Sequence, residues 1–249
     1  MLKRTVIKLS GEAIGQPSHA CEYNDAVISD ILRQIAQVMQ AGTQVALVVG
    51  GGNIWRGRSA CPDMDRVTAD QMGMLATVMN ALYLADVCKR LDMKAQVVTP
   101  IPVGAVTQLY EKDAALAMMA DNTVIINAAG LGHPFFSTDT VTALRAAELN
   151  ADCILYAKNI DGLYDSDPRQ NPAARKYKTL SYHTAITQGL GAADMAALHL
   201  SNEAGIPSYI FGLNEPNGII SACAYPNTGA LAGTYISPND KEDFYASRT

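Results

Sequence analysis

Thr5-Val6-Ile7-Lys8-Leu9-Ser10-Gly11-Glu12 is a short aliphatic run that carries one lysine and closes on a Ser-Gly turn. β-Branched and aliphatic residues bounded by turn formers predict a strand from Thr5 to Leu9. A buried ammonium is costly unless an anion meets it, so Lys8 in such a strand points to an anion near the strand's carboxyl end. The plainer alternative is a lysine that snorkels to a sheet edge or pairs with Glu12.

Outward from this run, short β-branched segments alternate with longer helical patterns. Strands are predicted near Thr5 to Leu9, Gln44 to Val49, Ala95 to Thr99, Thr123 to Asn127, Asp152 to Ala157 and Ser208 to Phe211. Helices are predicted near Asp25 to Ala41, Thr68 to Leu91, Asp113 to Ala120, Asp139 to Leu149 and Met195 to Ala204. Such alternation implies an α/β fold with a largely parallel sheet covered on both faces, and ligands gather at the carboxyl ends of such strands. A chain of 249 residues can bury one substantial core, so a single domain is expected.

Hydrophobic residues make up 49% and charged residues 17%, a globular balance. The net charge of -5 speaks against a broad nucleic-acid footprint. Cys21, Cys61, Cys88, Cys153 and Cys223 are scattered without metal-finger spacing and read as reduced thiols. No apolar run approaches a membrane span and the N-terminus lacks signal-peptide features, so a cytoplasmic protein without a membrane partner is expected. The helix from Thr68 to Leu91 is apolar around most of its circumference; it is either a central core helix or a helix with one side against a second subunit.

Four further segments could carry chemistry. Val49-Gly50-Gly51-Gly52-Asn53-Ile54-Trp55-Arg56-Gly57 puts three glycines at a strand's carboxyl end, where backbone amides can approach phosphate and Arg56 can supply a forked cation. It matches neither a P-loop nor a dinucleotide fingerprint. Gly130-Leu131-Gly132-His133-Pro134-Phe135-Phe136-Ser137-Thr138-Asp139 spends two of four phenylalanines on a loop, which suits a planar ring or ribose, although Ser137, Thr138 and Asp139 are also ordinary capping residues. In Asp161-Gly162-Leu163-Tyr164-Asp165-Ser166-Asp167-Pro168, Tyr164 could flank an adenine and Asp167 could hold a ribose hydroxyl, or the segment is a solvated hairpin. Asp194 stands before the last predicted helix, as a cap or a catalytic carboxylate. The four histidines do not cluster, so no protein-held metal is expected.

Lys8-Leu9-Ser10-Gly11-Glu12, Gly50 to Gly57, Asp70-Gln71-Met72-Gly73-Met74-Leu75-Ala76-Thr77, Pro134 to Thr140, Asp161-Gly162 and Asp167-Pro168 stand in the order and spacing of the bacterial uridylate (UMP) kinases. The chain therefore resembles that branch of the amino-acid-kinase family over nearly its whole length. The resemblance implies a three-layer α/β/α sandwich, with residues 1–155 mainly for the acceptor and 156–249 mainly for ATP. It also implies phosphoryl transfer from ATP to UMP, magnesium carried mainly by the phosphates, and a homohexamer built from dimers.

Carried over by position, Lys8, Arg56, Asp139 and Asp194 correspond to the catalytic residues. Lys8, Leu9, Ser10, Gly11, Gly52, Arg56, Lys158, Tyr164 and Asp167 correspond to ATP contacts. Gly51, Asp70, Leu131, Gly132, His133, Pro134, Phe135, Phe136, Ser137 and Thr138 correspond to the UMP site, with Asp70 on the ribose.

The chain departs from the family's usual pattern at Lys158, which replaces a small hydroxyl residue, and at Leu131, His133 and Ala193. Ala85, Gln96 and Lys112 stand where GTP-activated members tend to carry Arg or Trp, so GTP activation is not implied. Two other readings stay open, a kinase of another small acceptor and a nucleotide-binding regulator without turnover.

Overall fold

The computed structural model describes residues 1–16, 19–55, 63–213, 215–228, 232–239 and 241–246, without the side chains of 19–21 and 226–228. Its first half contains β1 (Arg4–Leu9), α1 (Gly11–Ile14), β2 (Gly15–Gln16), β3 (His19–Tyr23), α2 (Asp25–Gln40), β4 (Gln44–Val49), α3 (Arg66–Arg90), β5 (Ala95–Thr99) and β6 (Gln108–Leu109). There follow α4 (Lys112–Ala120), β7 (Val124–Asn127), α5 (Thr138–Glu148), β8 (Cys153–Lys158), β9 (Tyr177–Ser181), α6 (Tyr182–Thr187) and α7 (Met195–Glu203). The chain closes with β10 (Ser208–Gly212), α8 (Gly218–Thr228), β11 (Thr234–Ser237) and β12 (Asp243–Phe244).

The lysine-bearing run lies at the centre of the sheet. β1 pairs in parallel with β4 on one side and β8 on the other, within the order β12-β9-β11-β10-β8-β1-β4-β7-β5-β6. The stretch from β10 to β6 is parallel throughout, and antiparallel pairing enters only where β11 meets β10 and β12 meets β9. Residues of a strand alternate between faces, and β1 sorts its side chains accordingly. Ile7 and Leu9 pack with α2, α3 and α8, whereas Val6 packs with α4, α5, α6 and α7 on the other face. The resulting architecture is the expected three-layer α/β/α sandwich around a mainly parallel sheet. Val6, Ile7 and Leu9 are fully buried, and each such side chain contributes about 1.5–3 kcal/mol of transfer free energy.

Three helices on which the site depends start on side-chain caps. Asp65 accepts from the Thr68 amide at 3.0 Å to begin α3, Ser137 accepts from Asp139 and Thr140 to begin α5, and Asp194 accepts from Ala197 at 2.8 Å to begin α7. Each cap satisfies amides that the first helical turn leaves without partners. All six predicted strands and all five predicted helices are present, with ends shifted by a residue or two. α1, the β2–β3 hairpin, β6, β9, β11, β12, α6 and α8 were not predicted. These are short or lack clear periodicity, and tertiary pairing supplies their stability.

Among the described residues no helix is long and apolar enough to cross a membrane. Cys88, Cys153 and Cys223 are buried free thiols, and burial pushes the Cys88 and Cys223 pKa values up to about 12. Cys61 and the side chain of Cys21 lie outside the described residues.

Candidate active site

Because β10, β8, β1, β4 and β7 run in one direction, the loops after Gly212, Lys158, Leu9, Val49 and Asn127 gather on one rim of the sheet. Lys8 sits one residue from the end of β1 and shares the face of Val6. There its ammonium lies 3.1 Å from Asp139, in the first turn of α5, and both side chains are mostly buried. The anion that meets Lys8 is therefore Asp139. Lys158, the last residue of β8, approaches the other oxygen of the same carboxylate at 3.9 Å. Its ammonium also donates to the Ala192 carbonyl and, at 3.5 Å, to that of Gly191. Burial pushes the Lys158 pKa down, with Asp139 opposing that shift and Lys8 adding to it.

Asp194 is the second carboxylate of this corner. It accepts hydrogen bonds from the Ser137 hydroxyl and from Thr140 Oγ1 at 2.8 Å, besides capping α7. Burial alone would raise its pKa, but the Ser137 hydroxyl, the Ala197 amide and Thr140 together hold it below the usual carboxylate range. Asp194 thus ties the start of α5 to the start of α7, and Asp139 rides on the helix so fixed.

Two glycine turns meet beside Lys8. The Gly50 amide donates to the Leu9 carbonyl at 2.9 Å, which joins the β1 and β4 exits directly. A Cβ on Gly11 would stand 2.6 Å from the Gly52 nitrogen and 2.6 Å from Asn53 Oδ1, so only glycine allows this approach. The Ser10 hydroxyl caps α1 by accepting from the Ala13 amide at 3.1 Å. Asn80, fully buried in α3, donates to the Gly50 carbonyl at 2.6 Å and exchanges hydrogen bonds with Asn53. Sequence reasoning missed Asn80; a lone amide in an otherwise apolar helix face was the available signal, since a buried amide must find partners.

Next to this corner lies a cavity of about 220 Å3, walled by Gly51, Gly52, Asp70, His133, Phe136 and Thr138 among others. Its wall therefore includes the neighbours of both Gly11 and Asp139. The loop from Ala129 to Phe135 that forms one side has positive φ at Ala129, Gly130, Gly132 and Phe135. Thr77 of α3 anchors its start, accepting from the Ala129 amide at 2.7 Å, and Asp70 accepts from the Phe135 amide at 2.8 Å. Leu131 is partly buried against the core on the Val6 face of the sheet, and Gly132 lies against Pro100 and Ile101. Phe135 is exposed, and Ser137 belongs to the Asp194 corner. A larger cavity of about 420 Å3 lies at the opposite end of the sheet, between the carboxyl ends of α2, α3 and α4, away from the glycine turns and the lysine pair.

Tyr164 and Asp167 belong to the loop after β8. Tyr164 donates to the Asp161 carboxylate at 3.0 Å, and Asp161 also pairs with Lys176 at 2.9 Å. Asp167 accepts from the Arg169 amide at 2.9 Å, within a turn. Their groups are thus held by local bonds. Arg56 lies outside the described residues. Among the described residues no three His, Cys, Asp or Glu side chains gather as a metal-ligand set.

Comparison with known proteins agrees with this geometry. The model of the amino acid kinase family matches residues 3–212. The UMP kinase of Bacillus anthracis superposes with a TM-score of 0.92 at 34% identity, covering 98% of this chain and 99% of that one. The UMP kinase of Ureaplasma parvum gives 0.87 at 36% identity, covering 94% and 98%. The uridylate kinase of Archaeoglobus fulgidus gives 0.69 at 26% identity, covering 94% and 99%. With a family match over most of its length and two near-full-length relatives above 30% identity, the chain belongs to the amino acid kinase family.

Proposed function

We propose that the chain transfers the γ-phosphoryl group of ATP to UMP, giving UDP and ADP, in pyrimidine nucleotide synthesis in the cytoplasm. The observation that carries this reading is the Lys8–Asp139 pair beside a cavity with Asp70 on its wall. UMP occupies that cavity, with its ribose on Asp70, its base against Leu131 to Thr138 and its phosphate toward Gly51. ATP lies across the β1 and β8 exits, with its phosphates near Lys8, Leu9, Ser10, Gly11, Gly52, Arg56 and Lys158, and its nucleoside toward Tyr164 and Asp167. Residues 1–155 are then mainly the acceptor half and 156–249 mainly the ATP half.

An oxygen of the UMP phosphate attacks the γ-phosphorus as the bond to the β-phosphate oxygen breaks, and ADP carries away that electron pair. The chain's task is to hold the two phosphates in line and to neutralise the oxygens between them. Lys8 supplies positive charge there, and Asp139 keeps its ammonium aimed. Asp194, through Ser137 and the α5 cap, keeps Asp139 in place. Magnesium would arrive on the nucleotide, keep most of its waters and add charge neutralisation there.

Purified chain supplied with Mg-ATP is expected to release ADP and form UDP with UMP, and to do so poorly with CMP; equal rates with both would sink the acceptor assignment. Light scattering of the same sample tests the assembly. Met72, Leu75, Met79 and Leu82 form an exposed stripe on α3, which we read as the contact that pairs two copies within a hexamer. A monomeric mass would remove that reading.

Lys158 carries a separate expectation. A lysine whose folded pKa lies below the ordinary 10.5 costs stability at neutral pH; the cost is full below the folded value and is relieved as pH rises from there to 10.5. Lys158→Met is expected to raise the thermal midpoint of the ligand-free protein by about 2–4 °C at pH 7. It is also expected to raise the KM for ATP about tenfold, as loss of a charged phosphate contact should. A lower midpoint at pH 7, or an unchanged KM for ATP, would show that Lys158 serves the Gly191–Ala192 turn rather than ATP.

A further inference from the structure

We infer that Arg66 is a positioning residue for the acceptor nucleotide, fixing the Asp70 carboxylate and the Phe135 backbone in one clasp and so setting how tightly the site reads the ribose. The inference rests on the acceptor reading above.

Arg66 is the first residue of α3, and its Nε donates to Asp70 Oδ2 at 2.8 Å, one helical turn further on. The Phe135 amide donates to the same oxygen at 2.8 Å. The Arg66 guanidinium also lies over the Phe135 ring, 5.1 Å from its centre. Two donors from two distant segments therefore close on one carboxylate oxygen, and the guanidinium ties the two segments together over the ring. Both bonds fall on Oδ2, so the clasp leaves Oδ1 of Asp70, on the cavity wall, for a ribose hydroxyl.

Phe135 makes the clasp more than a surface ion pair. Its φ is +72°, a left-handed conformation that costs a side chain of this kind roughly 1–2 kcal/mol. The residue is 66% exposed, so burial does little to offset that cost. The hydrogen bond from its backbone N–H to Asp70 and the guanidinium over the ring are what hold the strained residue. That conformation in turn delivers Phe136 to the cavity wall. A lysine could supply the charge but not the directed Nε–H together with a planar face over the ring.

Arg66 and Asp70 keep 37% and 22% of their side-chain surface exposed, so the pair adds little to folding stability. Its removal should then be read in acceptor binding, not in the melting temperature. The test measures steady-state kinetics of the full chain with UMP, 2′-deoxy-UMP and 3′-deoxy-UMP, for wild type, Arg66→Ala, Arg66→Lys and Phe135→Gly. In Arg66→Ala the KM for UMP should rise about tenfold, in line with loss of a charge-assisted hydrogen bond. The KM for ATP and kcat should stay within about twofold. The preference for UMP over its deoxy analogues should narrow, and Arg66→Lys should restore it only in part. Arg66→Ala and Phe135→Gly should combine non-additively, because they dismantle the same clasp.

An unchanged KM for UMP in Arg66→Ala, an equal rise in the KM for ATP, full rescue by lysine, or additive effects with Phe135→Gly would each overturn the inference while leaving the kinase reading intact. Wild-type protein that turns over none of the three nucleotides would bring down the acceptor reading and this inference with it.

Discussion

Replacing Lys8 with alanine is expected to lower kcat by about a hundredfold or more while the KM for UMP stays within about threefold. The lysine comes from the central strand and is mostly buried, and Asp139 at 3.1 Å holds its ammonium at the rim. Charge fixed in this way needs no reorganisation when negative charge moves across the transferring phosphoryl group, so its effect should fall on the chemical step. Lys8→Met keeps the aliphatic bulk and removes only the charge. It should lose nearly as much kcat, which separates electrostatics from packing. A Lys8→Met enzyme that retains wild-type kcat would remove Lys8 from the reaction. Lys158 shares Asp139 and could drift toward the vacated position, which would set the residual rate of either variant.

Gly11→Ala is expected to lower the thermal midpoint by about 3–10 °C and kcat/KM for ATP by about tenfold or more. The added methyl would lie 2.6 Å from the Gly52 nitrogen, 2.6 Å from Asn53 Oδ1 and 2.9 Å from the Gly50 carbonyl oxygen. Two of these are backbone atoms of the neighbouring turn. Asn80 pins the turn through the Gly50 carbonyl and through Asn53, so it cannot retreat cheaply. The strain therefore falls on the amides proposed to face phosphate. Gly191→Ala is the matching control: a methyl there meets nothing within 4 Å, and its backbone is not left-handed. Gly191→Ala should keep its midpoint, and equal damage in both variants would show that glycine flexibility, not the close approach of the two turns, is what matters.

Much of the fold was legible because strand and helix periods are local properties. Thr5 to Leu9 reads as a strand from eight consecutive residues, and the structure places it as β1. The caps Ser137 and Asp194 were readable as caps, and both act so. Less legible was what else a cap does. Asp194 capping α7 is also the acceptor for Ser137 and Thr140, which no spacing rule connects with it. The side of the sheet beyond β10 was nearly silent, because β9, β11 and β12 are short, mixed in polarity and stable only as neighbours in the sheet.

The amino-acid order alone determined the alternation of strands and helices, the glycine turns at two strand exits, and the place of Lys8 within the first strand. Tertiary structure decided that the anion meeting Lys8 is Asp139, that Gly11 and Gly52 touch backbone to backbone, and that Arg66 and Phe135 close on one oxygen of Asp70. Local pattern follows from dihedral preferences and side-chain period, which a few neighbouring residues specify. Partnerships across the chain follow from sheet register and from which face each helix covers, and these emerge only when the whole core packs.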